Sequence, residues 1–273
     1  MYGMSDFVAA LPMYDWPEAR EENDLEWARL RDALRAAGLE APEKLARRNA
    51  DLPSVPGGIR DRAGTIAAPD PAVLPPDAFD LPVLWRHPRL LLAQACWGPM
   101  EFGLAPFVEV IGQPDYSRFE GGEGIFYSSV VLVRVKRGRD AAAAPNEGRA
   151  LLPIGTLRGG KLAFNGRDSM SGYLALERDL ETAGEGMAIF SDAVETGGHR
   201  ASIRAVAEGL ADVCAIDCRS WAMAKRFEPA ADALLPVGWT ARRKGLPYIA
   251  SASLPKETIA AVRAMTGAET ANA

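Results

Sequence analysis

The sequence has 273 residues, 48% of them hydrophobic and 25% charged, and a formal net charge of -5. A chain of this length and composition buries an ample core in one large domain or two lobes, which excludes disordered and collagen-like proteins. The acidic balance and the lack of a long basic run disfavour nucleic acid as a partner, so a bound anion has to be held locally.

No membrane insertion is predicted, because no stretch approaches the roughly 18 uninterrupted apolar residues of a membrane span. Residues 1–20 also lack the basic start and apolar core of a secretory signal. We therefore expect a soluble protein that is either exported after removal of a signal or cytoplasmic.

Cysteine and histidine content bounds the covalent and metal chemistry. The cysteines Cys96, Cys214 and Cys218 are odd in number, which excludes a full disulfide framework. Neither His87 nor His199 stands at ligand spacing from a cysteine pair. The sequence predicts no metal ion and no cofactor.

The first half of the chain opens as a strand and a helix. An apolar run predicts a strand at 7–13, and apolar residues at helical spacing predict a helix over 19–37 that Gly38 ends. Residues 51–82 are crowded with proline and glycine and predict a loop. Further strands are predicted at 90–93, 107–111 and 125–135, the last crossing towards a second lobe.

The second half repeats a strand and helix rhythm. Strands are predicted at 161–164, 187–194, 212–216, 234–240 and 246–251. Helices are predicted at 170–180, 199–209, 218–227 and 256–265. This alternation predicts an α/β fold with mostly parallel sheets covered on both faces.

The first candidate site follows the strand at 161–164. Parallel sheets bind ligands beyond the carboxyl ends of their strands, and here a polar turn with glycine enters a helix. Ser169 and Ser171 offer hydroxyl donors, Gly172 allows close approach, and unpaired N–H groups at the helix start suit an anion. Ordinary N-capping by serine is the alternative.

Other polar and aromatic residues follow neighbouring strands. His199 opens a helix after two glycines and can donate to an anion, although a lone histidine is often structural. Asp217 ends the strand at 212–216, where capping of the next helix is the alternative role. Tyr14 and Trp97 follow the early strands and serve equally well as core residues.

Known enzyme motifs are missing from the sequence. It contains no Gly-x-Ser-x-Gly elbow, no phosphate-binding loop ending in Gly-Lys-Ser/Thr and no His-Glu-x-x-His. The glycines at 121–124 precede a strand, which is the wrong context for a dinucleotide fingerprint. The sequence therefore predicts binding rather than catalysis.

Four segments resemble a known family, namely the phosphate, phosphite and phosphonate substrate-binding proteins of ABC transporters. The resemblance implies the type II periplasmic-binding fold, with two α/β lobes joined by a double-crossover hinge. The segments are Leu11-Pro12-Met13-Tyr14-Asp15, Leu91-Leu92-Ala93-Gln94-Ala95-Cys96-Trp97-Gly98, Phe164-Asn165-Gly166-Arg167-Asp168-Ser169-Met170-Ser171-Gly172-Tyr173 and residues 196–213.

The resemblance also implies boundaries and a function. Lobe 1 would comprise 1–125 and 238–273, and lobe 2 would comprise 126–237. A small phosphonate-like or phosphate-like oxyanion would bind in a cleft between the lobes, and the closed protein would dock on an ABC transporter permease in the periplasm. The alternative is a cytoplasmic sensor or enzyme on the same fold that handles a pyrimidine or another small anionic metabolite.

Carried over residue by residue, the resemblance assigns a ligand-binding set. Met170 stands where the family has a further hydroxyl residue, so one donor is missing here. The assigned residues are Ser169, Ser171 and Gly172 as primary contacts, Asn165, Asp168, His199 and Asp217 as secondary contacts, Tyr14 and Trp97 from the first lobe, and Tyr127 and Ser128 near the crossing.

Overall fold

The computed structural model describes residues 6–135, 138 and 140–269. Residues 1–5 and 270–273, which the expected first lobe includes, lie outside the described residues. The strands are β1 Val8–Ala10, β2 Ile59–Arg60, β3 Ile66–Ala68, β4 Leu90–Gln94, β5 Val108–Gly112, β6 Gly122–Glu123, β7 Phe126–Tyr127, β8 Ser129–Arg134, β9 Lys161–Phe164, β10 Asp192–Glu195, β11 Val213–Asp217, β12 Leu234–Trp239, β13 Arg243–Lys244 and β14 Tyr248–Ser251. The helices are α1 Arg20–Ala36, α2 Leu81–Arg86, α3 Trp97–Pro99, α4 Ile154–Leu157, α5 Ala175–Thr182, α6 His199–Ala207, α7 Cys218–Phe227 and α8 Lys256–Glu269.

The chain divides into two compact units. Unit 1 comprises Met1–Pro114 and Leu246–Ala273, and unit 2 comprises Asp115–Gly245. The division thus falls at 114 and 246 rather than at the 125 and 238 expected from the resemblance. Main-chain hydrogen bonds explain the difference, because Gly245 N donates to Ile125 O and Trp239 N donates to Leu151 O, which hold both flanking stretches within unit 2.

Unit 1 is built on a four-stranded sheet in the order β1-β4-β14-β5. Neighbouring residues of β1 enter different cores: Val8 packs with Trp85 of α2, whereas Ala9 packs with Trp27 and Leu34 of α1. Because successive strand side chains point to opposite faces, this division shows that both faces of the sheet are covered.

Unit 2 is built on a five-stranded sheet in the order β10-β9-β11-β8-β12. β9 pairs in parallel with β10 and β11, whereas β8 pairs antiparallel with both β11 and β12. In unit 1, β14 likewise runs antiparallel to β4 and β5. Each sheet therefore contains one reversed strand, β14 in unit 1 and β8 in unit 2, while its other strands run in a common direction, as the expectation of mostly parallel sheets requires.

Two predicted strands also differ from those observed. The apolar run at 187–194 begins as a 3-10 turn, Met187–Ile189, and extends only from Asp192. The run at 125–135 is interrupted at Ser128, whose N–H donates to Gly121 O instead of continuing one ladder. Short apolar runs do not distinguish a strand from a buried turn by periodicity, which explains both differences.

No helix in the described part of the chain has the length and apolar character needed to cross a membrane.

Candidate functional site

Polar residues of unit 2 collect at one edge of its sheet. The carboxyl ends of the parallel strands β9 and β11 lie at this edge, which places Asn165 just after one strand and Asp217 at the end of the other. The antiparallel β8 begins at the same edge, because Ser129 pairs with Asp217. Mixed sheet direction therefore still brings the predicted residues to one edge.

Residues 165–172, here named the cradle segment, turn from β9 into a helix. Ser169 N donates to Gly166 O at 3.0 Å, which closes the turn. The Ser169 side chain then accepts a hydrogen bond from Gly172 N at 3.1 Å, so Ser169 is the N-cap of the helix. The first turn, Met170–Leu174, is π-helical and continues directly into α5. The first N–H groups of a helix have no partner within it, and its dipole favours an anion there.

Ser171, His199 and Asp217 form one chain of contacts. Ser171 Oγ lies 2.9 Å from His199 Nε2, and the same nitrogen lies 3.2 Å from Asp217 Oδ2. Asp217 also caps α7, because its Oδ1 accepts from Ser220 N at 2.8 Å. The two carboxylate oxygens thus serve both roles that the sequence left open, namely capping and contact with the candidate site.

Asp217 is ionised at neutral pH although it is buried. Burial on its own would raise the pKa of this carboxyl, but hydrogen bonds from His199 and Ser220 outweigh burial and lower the pKa. An ionised carboxylate only accepts hydrogen bonds, so His199 Nε2 carries the hydrogen that faces it. Ser171 then cannot donate its hydroxyl hydrogen to Nε2.

Asn165 and His199 both pack against Gly172. A Cβ atom built on Gly172 would lie 3.3 Å from His199 Cε1 and far closer to Asn165 Oδ1. Asn165 Oδ1 and His199 Nδ1 are buried atoms without a hydrogen-bond partner among the described residues. Buried polar atoms are nearly always paired, so two unpaired atoms at one glycine indicate a place for a further polar partner.

The remaining predicted residues occupy varied positions. In unit 2, Asp168 is exposed at the tip of the turn, and Tyr127 is buried with its ring 5.3 Å from that of Tyr116. Ser128 is buried, and its carbonyl accepts from Cys218 N, next to Asp217. In unit 1, Tyr14 is 1% exposed, which fits the core role that the sequence left open. Trp97 is half-buried at the start of α3.

Two residues near the cradle segment were not predicted. Thr196, after β10, bonds through its hydroxyl to Phe164 O and to Ser202 Oγ and so fixes the turn before His199. Arg167, within the cradle segment, lies against aromatic rings. Its position between aromatic residues 164 and 173 was the available signal.

Among the described residues, no group of three or more His, Cys, Asp or Glu side chains is placed to hold a metal ion.

Polar groups at the carboxyl edge of a sheet mark the position at which α/β folds bind ligands. This edge of unit 2 is therefore the candidate ligand site of a two-unit α/β protein. A family model described as the periplasmic substrate-binding protein of phosphonate ABC transporters matches residues 104–270. The chain belongs to this family of phosphonate-binding proteins.

Comparison with solved structures gives the same fold. PhnD1 from Prochlorococcus marinus, solved in complex with methylphosphonate, matches with a TM-score of 0.52 and 20% identity. The match covers 66% of this chain and 65% of the length of PhnD1. This likeness shows the fold alone and confirms the predicted α/β, periplasmic-binding-protein-like class.

Two further structures match less well. XAC2383 from Xanthomonas citri, bound to chloride ion, has a TM-score of 0.49 and 18% identity, covering 66% of this chain and 64% of that chain. A binding-protein component of an ABC phosphonate transporter from Pseudomonas aeruginosa has a TM-score of 0.48 and 14% identity, covering 66% and 57%. The comparison with curated proteins gave no match.

Proposed function

We propose that this protein is the solute-binding component of an ABC-type importer and captures a small oxyanion at the cradle segment. One observation carries the proposal: Asn165 and His199 each present a buried polar atom without a partner among the described residues, and both pack against Gly172 at a helix start. Ser171 adds a hydroxyl hydrogen that the pairing of His199 with Asp217 leaves available.

The available groups favour a particular ligand chemistry. The hydroxyl of Ser171 and the helix start favour oxyanion oxygens, which only accept hydrogen bonds. Asn165 Oδ1 accepts, and Asp217 adds negative charge close to His199. A phosphonate or phosphate-like group that also carries a donor, such as an amine or an acidic hydroxyl, therefore fits better than a fully deprotonated oxyanion.

The family suggests the partner and the compartment. Its members are described as periplasmic proteins of ABC transporters, so we propose docking on a membrane permease and action in the periplasm. Fractionation of cells that express the natural gene tests the compartment. Recovery of the protein only in the cytoplasm would contradict the importer role and favour a sensor or an enzyme on this fold.

Binding is favoured over hydrolysis by the contacts of His199. A serine, a histidine and an aspartate occur together, but a catalytic triad uses one ring nitrogen for the serine and the other for the carboxylate. Here both contacts are made to Nε2. With its hydrogen facing Asp217, Nε2 cannot take the proton of Ser171, and Ser171 is not activated as a nucleophile.

A ligand panel tests the proposal directly. Phosphate, phosphite, sulfate, methylphosphonate and aminoethylphosphonate are each added at millimolar concentration, and the melting temperature is measured. At least one should raise it, because a ligand that binds only the folded state stabilises that state. Methylphosphonate is the first choice, since the PhnD1 structure contains it. A panel without any shift would refute oxyanion binding.

A charge variant locates the site. Ser171→Asp places a carboxylate beside Asp217 and should abolish the shift, because it repels an oxyanion at short range. Ser191→Asp, at an exposed serine of the same unit, is the matched control and should retain the shift. Equal responses of the two variants would place the ligand elsewhere.

A further inference from the structure

Arg167, in the turn of the cradle segment, lies against two aromatic rings that also pack on each other. Its guanidinium carbon lies 5.6 Å from the centre of the Phe164 ring and 5.5 Å from that of Tyr173. Nη1 also donates to the Tyr173 hydroxyl at 3.1 Å, and the two ring centres are 5.0 Å apart. An exposed arginine otherwise samples many rotamers, so these contacts fix a side chain that solvent would leave free.

The two rings stand at the two ends of the cradle segment. Phe164 is the residue before Asn165, and Tyr173 is the residue after Gly172. Arg167 therefore connects the entry of the segment to its exit. The close packing of Asn165 on Gly172 requires these same two ends to stay together.

We propose that Arg167 is a positioning residue that holds the cradle segment in the form that binds the oxyanion. The proposal rests on the proposed function. The apparent dissociation constant is the intrinsic one divided by the fraction of molecules in the competent form, so a contact that raises this fraction tightens binding without touching the ligand. A planar guanidinium suits both a stacked ring and a hydroxyl acceptor, whereas an ammonium matches this geometry poorly.

Calorimetric titration of the full chain with methylphosphonate, or with the panel ligand that binds best, tests the proposal. Arg167→Gln should weaken binding about 5- to 10-fold, from the loss of the cation–π contacts and one hydrogen bond. Arg167→Lys keeps the positive charge but loses the planar guanidinium, and its ligand binding should be weakened nearly as much. Arg226→Gln is the matched control, because Arg226 also lies over a ring, that of Phe227 at 4.5 Å, on another helix of unit 2.

Two further measurements separate positioning from general stability. The Tyr173→Phe and Arg167→Gln changes should be non-additive in affinity, since each removes the same hydrogen bond. Amide exchange at Gly172 should be faster in ligand-free Arg167→Gln than in the wild type and equal in both when ligand is saturating.

Each contrary result has a distinct meaning. Wild-type affinity of Arg167→Lys would show that charge alone acts and would overturn the positioning role. Equal affinities of Arg167→Gln and Arg226→Gln would overturn it as well. A wild-type protein that binds none of the panel would instead refute the proposed function, so the two failures are distinguishable.

Discussion

Asn165 packs so closely on Gly172 that a Cβ atom on residue 172 would overlap Asn165 Oδ1. Any side chain at this third position of the helix would have to displace the Asn165 amide. This contact also sets the place of the amide oxygen that we assign to the ligand.

Gly172→Ala should therefore impair both stability and binding. The methyl group has to displace Asn165, and overpacking of this kind costs about 1–3 kcal/mol of unfolding free energy. Urea denaturation measures the stability loss, and titration with the panel ligand measures the affinity, which should fall at least about tenfold because the amide is displaced.

Gly155→Ala provides the control for this prediction. Gly155 lies in α4 of the same unit, and a Cβ atom there meets nothing within 4 Å. Alanine is the better helix former, so stability should stay equal or rise slightly. Unchanged stability of Gly172→Ala would contradict the close packing that we describe.

Ser169→Ala and Ser171→Ala should separate capping from binding. Ser169 accepts from Gly172 N, and loss of such a cap costs about 1 kcal/mol. Ser171 contacts His199 and faces the proposed ligand, so its loss should weaken ligand binding about tenfold or more with a smaller effect on stability. Paired melting and titration measurements check this division, and identical profiles of the two variants would argue against it.

Asp217→Asn should lower stability at neutral pH but not at low pH. The folded-state pKa of Asp217 lies below its unfolded value, because His199 and Ser220 outweigh burial. Its charged form therefore stabilises the fold above the unfolded pKa, and this contribution disappears as the pH falls through the folded pKa. The asparagine keeps an acceptor for Ser220 but loses the charge, which should lower the free energy of unfolding at neutral pH by about 1–3 kcal/mol.

Urea denaturation of the wild type and of Asp217→Asn, at neutral pH and well below pH 4, measures the difference in their free energies of unfolding. Asp192→Asn is the control, since Asp192 is an exposed partner of Lys161 and should matter little at either pH. A stability gap between wild type and Asp217→Asn that persists in acid would contradict the assignment of the charge.

Cys214 and Cys218 should be unreactive towards thiol reagents in the folded protein. Both side chains are buried, and burial raises the pKa of each thiol, which removes the reactive thiolate. A colorimetric thiol titration of the Cys96→Ser variant should give little signal near pH 8 and two equivalents in denaturant. Rapid labelling without denaturant would contradict the buried placement.

The sequence predicted the elements around the site with good accuracy because local signals define them. The helix expected at 218–227 has the observed bounds, and Asp217 caps it as its position suggested. The helix expected from 199 ends at Ala207, just before Gly209 with its left-handed backbone. Capping residues and glycines carry this information in single positions.

Strand direction and long-range pairing could not be predicted in the same way. An antiparallel buried strand such as β8 has the same apolar pattern as a parallel one, so its pairing with β11 left no local mark. Likewise, the contact of Ser171 with His199 joins residues 28 positions apart. Spacing along the chain placed Ser171 and His199 each at a helix start, but it could not predict that their side chains meet.

The two histidines differ in a way that provides a measurement. His87 is buried, with Nε2 bonded to Pro53 O and Nδ1 accepting from Arg89 N, and burial lowers its pKa. His199 has one nitrogen engaged and the other unpaired among the described residues. Because the chain contains 2 histidines, a sample labelled only at histidine nitrogen gives a simple NMR spectrum. One ring then serves as an internal reference, and the other reports occupancy of the site without any attached dye.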